Sequence, residues 1–291
     1  MPAKSKLRRR GLQKVAGSEP HILKAASLDS QPWLVHGFST RVCGNSKTFS
    51  LNYGSAAGET NRQRFLEAVA GSLARKFKLV ALQQVHSDVI HHIEKSRKVR
   101  AAGDGMISNV PGLLLAIQTA DCLPVLLADP VHHAVGVFHA GWRGTLARIV
   151  EKGVGLMRTK FGTDPRQIVV AIGPGIHSCC YRVGKELQEQ FDSQFPYAAA
   201  LFHEVADSGE IEKKYPLLFL NKRAPGHGEP GTELHLDLFE ANRRQLLEAG
   251  VPAESIEASP LCTASNTDLL FSYRAEGSTT GRMMAVIGIK P

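Results

Sequence analysis

The chain has 291 residues, 43% hydrophobic and 21% charged, with a formal net charge of +8. That composition supplies ample core and excludes a disordered chain. No apolar run approaches the ~18 residues that cross a bilayer, so no membrane partner is expected. The first residues lack the apolar stretch of a secretory signal. Most of the charge is local: Lys4, Lys6, Arg8, Arg9, Arg10 and Lys14 occur with no acid among the first 14 residues. The remainder holds 29 basic against 27 acidic residues, which offers no groove to a specific nucleic acid. Five cysteines, two of them adjacent at 179 and 180, argue against a disulfide framework and for a reducing cytoplasm.

In chain order, residues 1–30 read as a basic, disordered tail and 31–291 as the folded domain, entered near Trp33 and Phe38. Residues 59–75 carry Phe65, Leu66, Val69 and Leu73 at helical spacing. Strand patterns follow at 78–83, 88–93, 105–108, 112–118, 123–128 and 133–138. A helix is expected over 145–161, with Gly162 as its stop. A strand at 168–172 runs into Gly173-Pro174-Gly175, and a helix at 184–194 uses Leu187 and Phe191. Residues 196–232, with Pro216, Pro225 and Pro230, read as a surface insertion. Asp237 and Glu240 make a capping-box-like start to a helix over 238–249, and a strand closes the chain at 284–289. Strand clusters broken by single helices predict an α+β fold with mixed sheets in a single domain. No exposed helical seam argues for assembly, so a monomer is expected.

His86, Cys122 and His139 each end an apolar segment in a distinctive context: QVHSD (84–88), TADCLPV (119–125) and HAGWRGT (139–145). Two imidazoles and a thiolate suit Zn²⁺ with a fourth position open to water or substrate. Chemistry-bearing residues on loops at strand ends are where sites usually sit. Against this, a chain with 12 His and 5 Cys yields some such set by chance, and a lone Cys is usually a small hydrophobe. Asp121, before the thiolate, can orient a ligand, carry a proton or make an Asx-turn. Arg143 opposes the dipole at a helix entry, a misplacement that favours an anion-binding role, and Arg41 is a second anion candidate. The segment from Gly173-Pro174-Gly175 to Cys180-Tyr181 could present backbone N–H groups or simply turn the chain, and is expected to wall the site. Cys43, Cys179 and Cys262 read as incidental, and Arg274 as a weaker candidate.

Together HGFSTR (36–41), QVHSD, GDGMIS (103–108), TADCLPV, HAGWRGT, IGPGI…CCYRVG (172–184) and CT…FSYR…GR (262–282) resemble the laccase-domain family of YfiH/YlmD-type purine nucleoside phosphorylases. The resemblance covers about residues 33–290. It implies two sheets packed between outer helices (α/β/β/α layers) and Zn²⁺ held at His86, Cys122 and His139. It also implies purine nucleosides and phosphate as substrates: adenosine, inosine and methylthioadenosine cleaved to base and ribose 1-phosphate, with adenosine deaminase activity at the same zinc site. Cys122, Asp121 and Arg143 are then the catalytic candidates, and Arg41 and Arg143 the phosphate ligands. Cys43-Gly44 stands where the family usually has Gly-Gly, and the loop before helix 59–75 is shorter than usual, which affects contacts near Arg41.

Two enzyme readings compete. Cys122 and His139 could form a nucleophile–base pair, or the chain could be a cytoplasmic cysteine- or zinc-dependent hydrolase editing peptidoglycan precursors. Multicopper oxidation is set aside, because such sites draw on His-x-His pairs and the 12 histidines include none.

Overall fold

The closing strand β15 (Met283–Ile289) is buried along all seven residues, as an uninterrupted apolar run covered on both faces should be. It lies inside a six-stranded sheet ordered β1 (Gln13–Lys14), β2 (Ile22–Lys24), β3 (Leu34–Ser39), β15, β7 (Leu113–Thr119), β4 (Lys78–Ala81). A second sheet is ordered β14 (Ile256–Ala258), β10 (Val169–Ile172), β8 (Leu123–Asp129), β9 (Ala134–Ala140), β6 (Gly105–Ser108), β5 (Ile90–His92). Both are mixed: β4–β7, β10–β14 and β5–β6 pair parallel and the other neighbours antiparallel. The computed structural model describes residues 12–15, 17, 19–96, 100–206 and 232–291.

Side-chain alternation builds the layers. Leu115, Ile117, Ala285 and Ile287 of the first sheet join Leu126, Ala128, Val135 and Val137 of the second in one buried core. Their neighbours Leu114, Ala116, Met284 and Val286 point the other way, onto Phe65, Leu66 and Val69 of the helix Ala56–Ala70. On the far side of the second sheet lies the helix Ile149–Phe161, ended by Gly162 in the left-handed conformation (φ 76°). The result is the α/β/β/α order expected. It forms one compact unit, residues 1–177 with 238–291.

Residues 178–237 form a second compact unit, of which the sequence marked only 196–232, as a surface insertion. Its sheet joins β11 (Arg182–Val183), β13 (Thr232–Leu236) and β12 (Phe202–Ala206), all antiparallel. Residues 207–231, with the three prolines of the expected insertion, lie outside the described residues, as do Lys4 to Arg10.

Three boundaries differ from expectation. The chain enters the fold before residue 31: Ile22 and Leu23 are buried and pair with β3. The adjoining helix α1 (Ala26–Asp29) has its N–H groups at Ala26 and Ser27 bound by the Glu257 carboxylate at 3.1 and 2.9 Å, an anion suited to a helix N-terminus. Helix α2 (Ala56–Ala70) starts earlier than 59, where the Ser55 hydroxyl accepts from Gly58 N–H. The helix expected at 145–161 is two: α3 (Trp142–Leu146) and α4 (Ile149–Phe161), separated where Arg148 is left-handed (φ 62°). Helix α5 is Lys185–Asp192, α6 is Leu238–Glu248 and α7 is Tyr273–Glu276. No helix among the described residues is long and apolar enough to cross a membrane.

Phe138 of β9 lies beneath α4, and a methyl group added at Gly153 would overlap its ring. Gly153→Ala gains about 1 kcal/mol of helix propensity but overpacks a rigid aromatic, which costs about 1–3 kcal/mol. A lower urea midpoint with an unchanged m-value is expected. An equal or higher midpoint would show that the interface yields.

Candidate metal centre

Three strand ends bring the ligands together. His86 lies on the loop between β4 and β5, Cys122 immediately precedes β8, and His139 is the sixth residue of β9. Their ligand atoms all lie within 4.8 Å of one another, close enough for one ion to bridge after small side-chain adjustments. His139 is buried, Cys122 half-buried and His86 exposed, so the set is closed beneath and open towards solvent. The β8–β9 register pairs Leu123 with Ala140, which sets Cys122 against Gly141. A Cβ at Gly141 would stand 2.7 Å from the Cys122 Sγ and 3.5 Å from the His86 Cδ2; glycine leaves the thiolate room.

One buried carboxylate organises the set, and the sequence reading did not single it out. Asp104 Oδ1 accepts from His139 Nδ1 (2.8 Å) and His86 N–H (3.1 Å). Oδ2 accepts from the N–H groups of Val85 (3.2 Å) and Ser87 (2.7 Å) and from the Ser87 hydroxyl (2.8 Å). The Asp104 carbonyl takes the His139 N–H at 2.7 Å. The carboxylate therefore pins the loop that holds His86 at a left-handed φ of 60°, a conformation an unbraced non-glycine residue resists. It also fixes the His139 proton on Nδ1 and leaves Nε2 as a donor to a metal. The only sequence signal was an acid between Gly103 and Gly105 at the head of a buried strand.

Electrostatics follow from this packing. Burial pushes the Cys122 thiol up, but the His139 charge and hydrogen bonds from His139 and His86 outweigh it and bring the thiol to about 6. Burial opposes charge on His139, yet the Cys122 and Asp104 charges and hydrogen bonds raise it to about 9. Burial likewise disfavours ionised Asp104, but its donors, His139 first, hold it well below the usual carboxylate range. The metal-free pair is thus a thiolate beside a protonated His139, and loss of that proton on metal binding would complete a thiolate and two-imidazole ligand set suited to a borderline or soft divalent metal.

Asp121 sits beside Cys122 at φ 95° but turns its carboxylate away from the ligands. Oδ1 accepts from the hydroxyls of Thr263 (2.6 Å) and Ser272 (2.7 Å), and Oδ2 from Arg274 N–H (2.6 Å). Both oxygens are committed, so the proton-carrying role expected from the sequence gives way to a positioning one. The 173–175 turn packs on the same segment, where Ile176 N–H donates to the Asp121 carbonyl at 2.8 Å.

The two arginines separate. The Arg143 guanidinium stacks on Trp142 at 4.3 Å, is exposed and makes no ion pair among the described residues. Arg41 pairs with Glu276 (2.7 Å), donates to the carbonyls of Lys47 (2.8 Å) and Thr267 (2.6 Å), and covers the Phe271 ring at 4.5 Å. These contacts occupy Nε and Nη1 and hold the Arg41 side chain in place. Cys43 packs in the outer core, and Cys262 is buried with its sulfur facing His177 N–H at 3.4 Å.

The fold and site define a protein of paired mixed sheets carrying, at one edge, a two-histidine, one-cysteine group that could hold a metal ion. Residues 35–290 match the family model described as multi-copper polyphenol oxidoreductase laccase, and the chain belongs to that family. It is 36% identical over 271 residues to the purine nucleoside phosphorylase YlmD of Geobacillus stearothermophilus, covering 87% of this chain and 89% of that one. It is 32% identical over 257 residues to the purine nucleoside phosphorylase YfiH of Escherichia coli, covering 86% and 91%. The crystal structure of the Bacillus licheniformis hypothetical protein YfiH superposes with a TM-score of 0.78 at 27% identity, covering 96% of this chain and 99% of that one.

Proposed function

We propose that His86, Cys122 and His139 hold Zn²⁺ and that the chain is a cytoplasmic, monomeric purine nucleoside phosphorylase. Its domain is the segment after the basic N-terminal arm. Adenosine, inosine and methylthioadenosine react with phosphate to give the base and a ribose 1-phosphate, or its methylthio analogue, and adenosine is also deaminated. The observation that carries this reading is an open soft-ligand triad whose His139 is followed four residues later by a guanidinium stacked on Trp142 and without an ion pair among the described residues. The names borne by the relatives support it, and the absence of His-x-His among the 12 histidines argues against multicopper chemistry.

Phosphorolysis requires a held phosphate, a substrate pressed against it and a departing purine. Arg143 supplies a planar donor fork for phosphate, preorganised by Trp142. Five large hydrophobic residues are exposed among the described residues, and two of them lie in the segment that carries His86. These are Val85 and Val89, on either side of His86 in the chain. Such a rim suits a flat, largely apolar base. Zinc, when bound, supplies Lewis acidity and brings the pKa of water towards about 7, which deamination needs. Asp104 and Asp121 hold the ligand loops.

The test is chromatography after incubation with inosine, with and without phosphate. Hypoxanthine and ribose 1-phosphate are expected only with phosphate, and not from Cys122→Ala. Arg143→Ala is expected to raise the KM for phosphate about tenfold or more, equivalent to about 1.4 kcal/mol, with metal content unchanged. A chelator should abolish turnover. Activity that survives chelation would instead favour Cys122 as a nucleophile with His139 as its base, and amide hydrolysis of peptidoglycan precursors would be the next assay.

A further inference from the structure

The 178–237 unit holds a pair of thiols that purine chemistry does not use. Ser178, Cys179 and Cys180 form a turn entering β11. Strand β13 pins that turn at both ends. The His235 imidazole Nδ1 bonds the Ser178 carbonyl at 2.6 Å, and Leu236 N–H donates to the Tyr181 carbonyl at 3.0 Å. Between these anchors the Cys179 and Cys180 sulfurs stand 3.5 Å apart, the first residue exposed and the second half-buried.

Two fates compete for such a pair, and distances separate them. A disulfide needs sulfurs at about 2.05 Å and normally Cα atoms about 4.4–6.8 Å apart. Adjacent Cα atoms across a trans peptide are held at about 3.8 Å, so closure would distort a turn that β13 fixes. Chelation asks for much less. Two thiolates bonded at about 2.3 Å to one centre, at angles of about 95–110°, stand roughly 3.4–3.8 Å apart. The observed separation already falls in that interval.

We propose that Cys179 and Cys180 form a chelating dithiol site for a soft, thiophilic centre, with trivalent arsenicals as the probe class. With phenylarsine oxide, two S–As bonds form and the As–O bond breaks. The oxygen leaves as water with both thiol protons, and arsenic stays trivalent, so no oxidant is needed. The fixed turn removes most of the ordering cost of bringing two thiols to one atom.

The experiment treats the full chain with phenylarsine oxide in excess glutathione and reads intact mass and tryptic fragments. Cleavage after Arg166 and Arg182 isolates a peptide whose only thiols are Cys179 and Cys180. One phenylarsenic adduct on that peptide is expected, stable to glutathione and removed by dimercaptopropanol. Cys179→Ser and Cys180→Ser should each reduce it at least tenfold, and Cys122→Ala should retain it. An adduct found on other peptides, stripped by glutathione, or undiminished in both serine variants would overturn the proposal.

Discussion

Asp104→Asn is expected to lower both metal content and Tm, although it removes one charge and no volume. The amide fails in either orientation. With its NH₂ towards His139, the Nδ1 that now donates at 2.8 Å must accept, and the imidazole proton moves to Nε2, the atom the metal needs. With its NH₂ towards Val85 and Ser87, two N–H donors at 3.2 and 2.7 Å face another donor. Each unpaired donor costs about 1–3 kcal/mol, so a Tm fall of roughly 3–10 °C is expected for a chain of this size. Loss of such a histidine-orienting carboxylate typically costs about 10–100-fold in metal affinity. The pH dependence provides a separate signature. Asp104 titrates below its unfolded value of about 3.9, because its donors outweigh burial. Its stabilisation is therefore fully present above that value and is lost as pH falls through the folded one. The asparagine variant should show a shallower loss of stability on the acid side. Unchanged zinc content by elemental analysis, with a parental acid limb, would rule out this role.

The convergence of His86, Cys122 and His139 was legible because each combines a reactive side chain with the end of a strongly patterned strand. Strands β7, β8, β9 and β15 and helices α2 and α4 were legible for a related reason. Their apolar periods are long, and burial on one or both faces leaves little ambiguity. Other features depend on partners distant in sequence. Asp104 between two glycines reads as a turn residue until the 85–87 loop and His139 are seen to converge on it. The partners of Arg41 were not legible, because no local signal reports a carbonyl at Thr267 or a carboxylate at Glu276. Asp121 stands beside Cys122 in the sequence, but its three donors come from Thr263, Ser272 and Arg274. The break between α3 and α4 falls at an arginine in a left-handed conformation, where a glycine would have announced it. The second unit depends on pairing of 202–206 with 232–236, a register with no local signature.

Gly141→Ala isolates space from chemistry at the same centre. Gly141 is extended (φ −77°, ψ 178°), a conformation alanine adopts without strain, so the backbone gives no reason for glycine. The obstacle is the Cys122 sulfur, 2.7 Å from the position of the added methyl. Contact at about 3.5–4.0 Å is the comfortable limit for non-bonded heavy atoms, so the sulfur must move by most of an ångström. A thiolate displaced that far no longer shares one ion with two imidazoles bonded at about 2.0–2.1 Å. Metal content is expected to fall tenfold or more and nucleoside cleavage with it, while the metal-free protein melts within a few degrees of the metal-free parent. The double variant decides the cause. If the methyl acts only through that sulfur, adding Gly141→Ala to Cys122→Ala should change metal content no further. An additional loss would place the damage in α3, which begins at Trp142, and a metal-replete single variant would show that Cys122 is not a ligand.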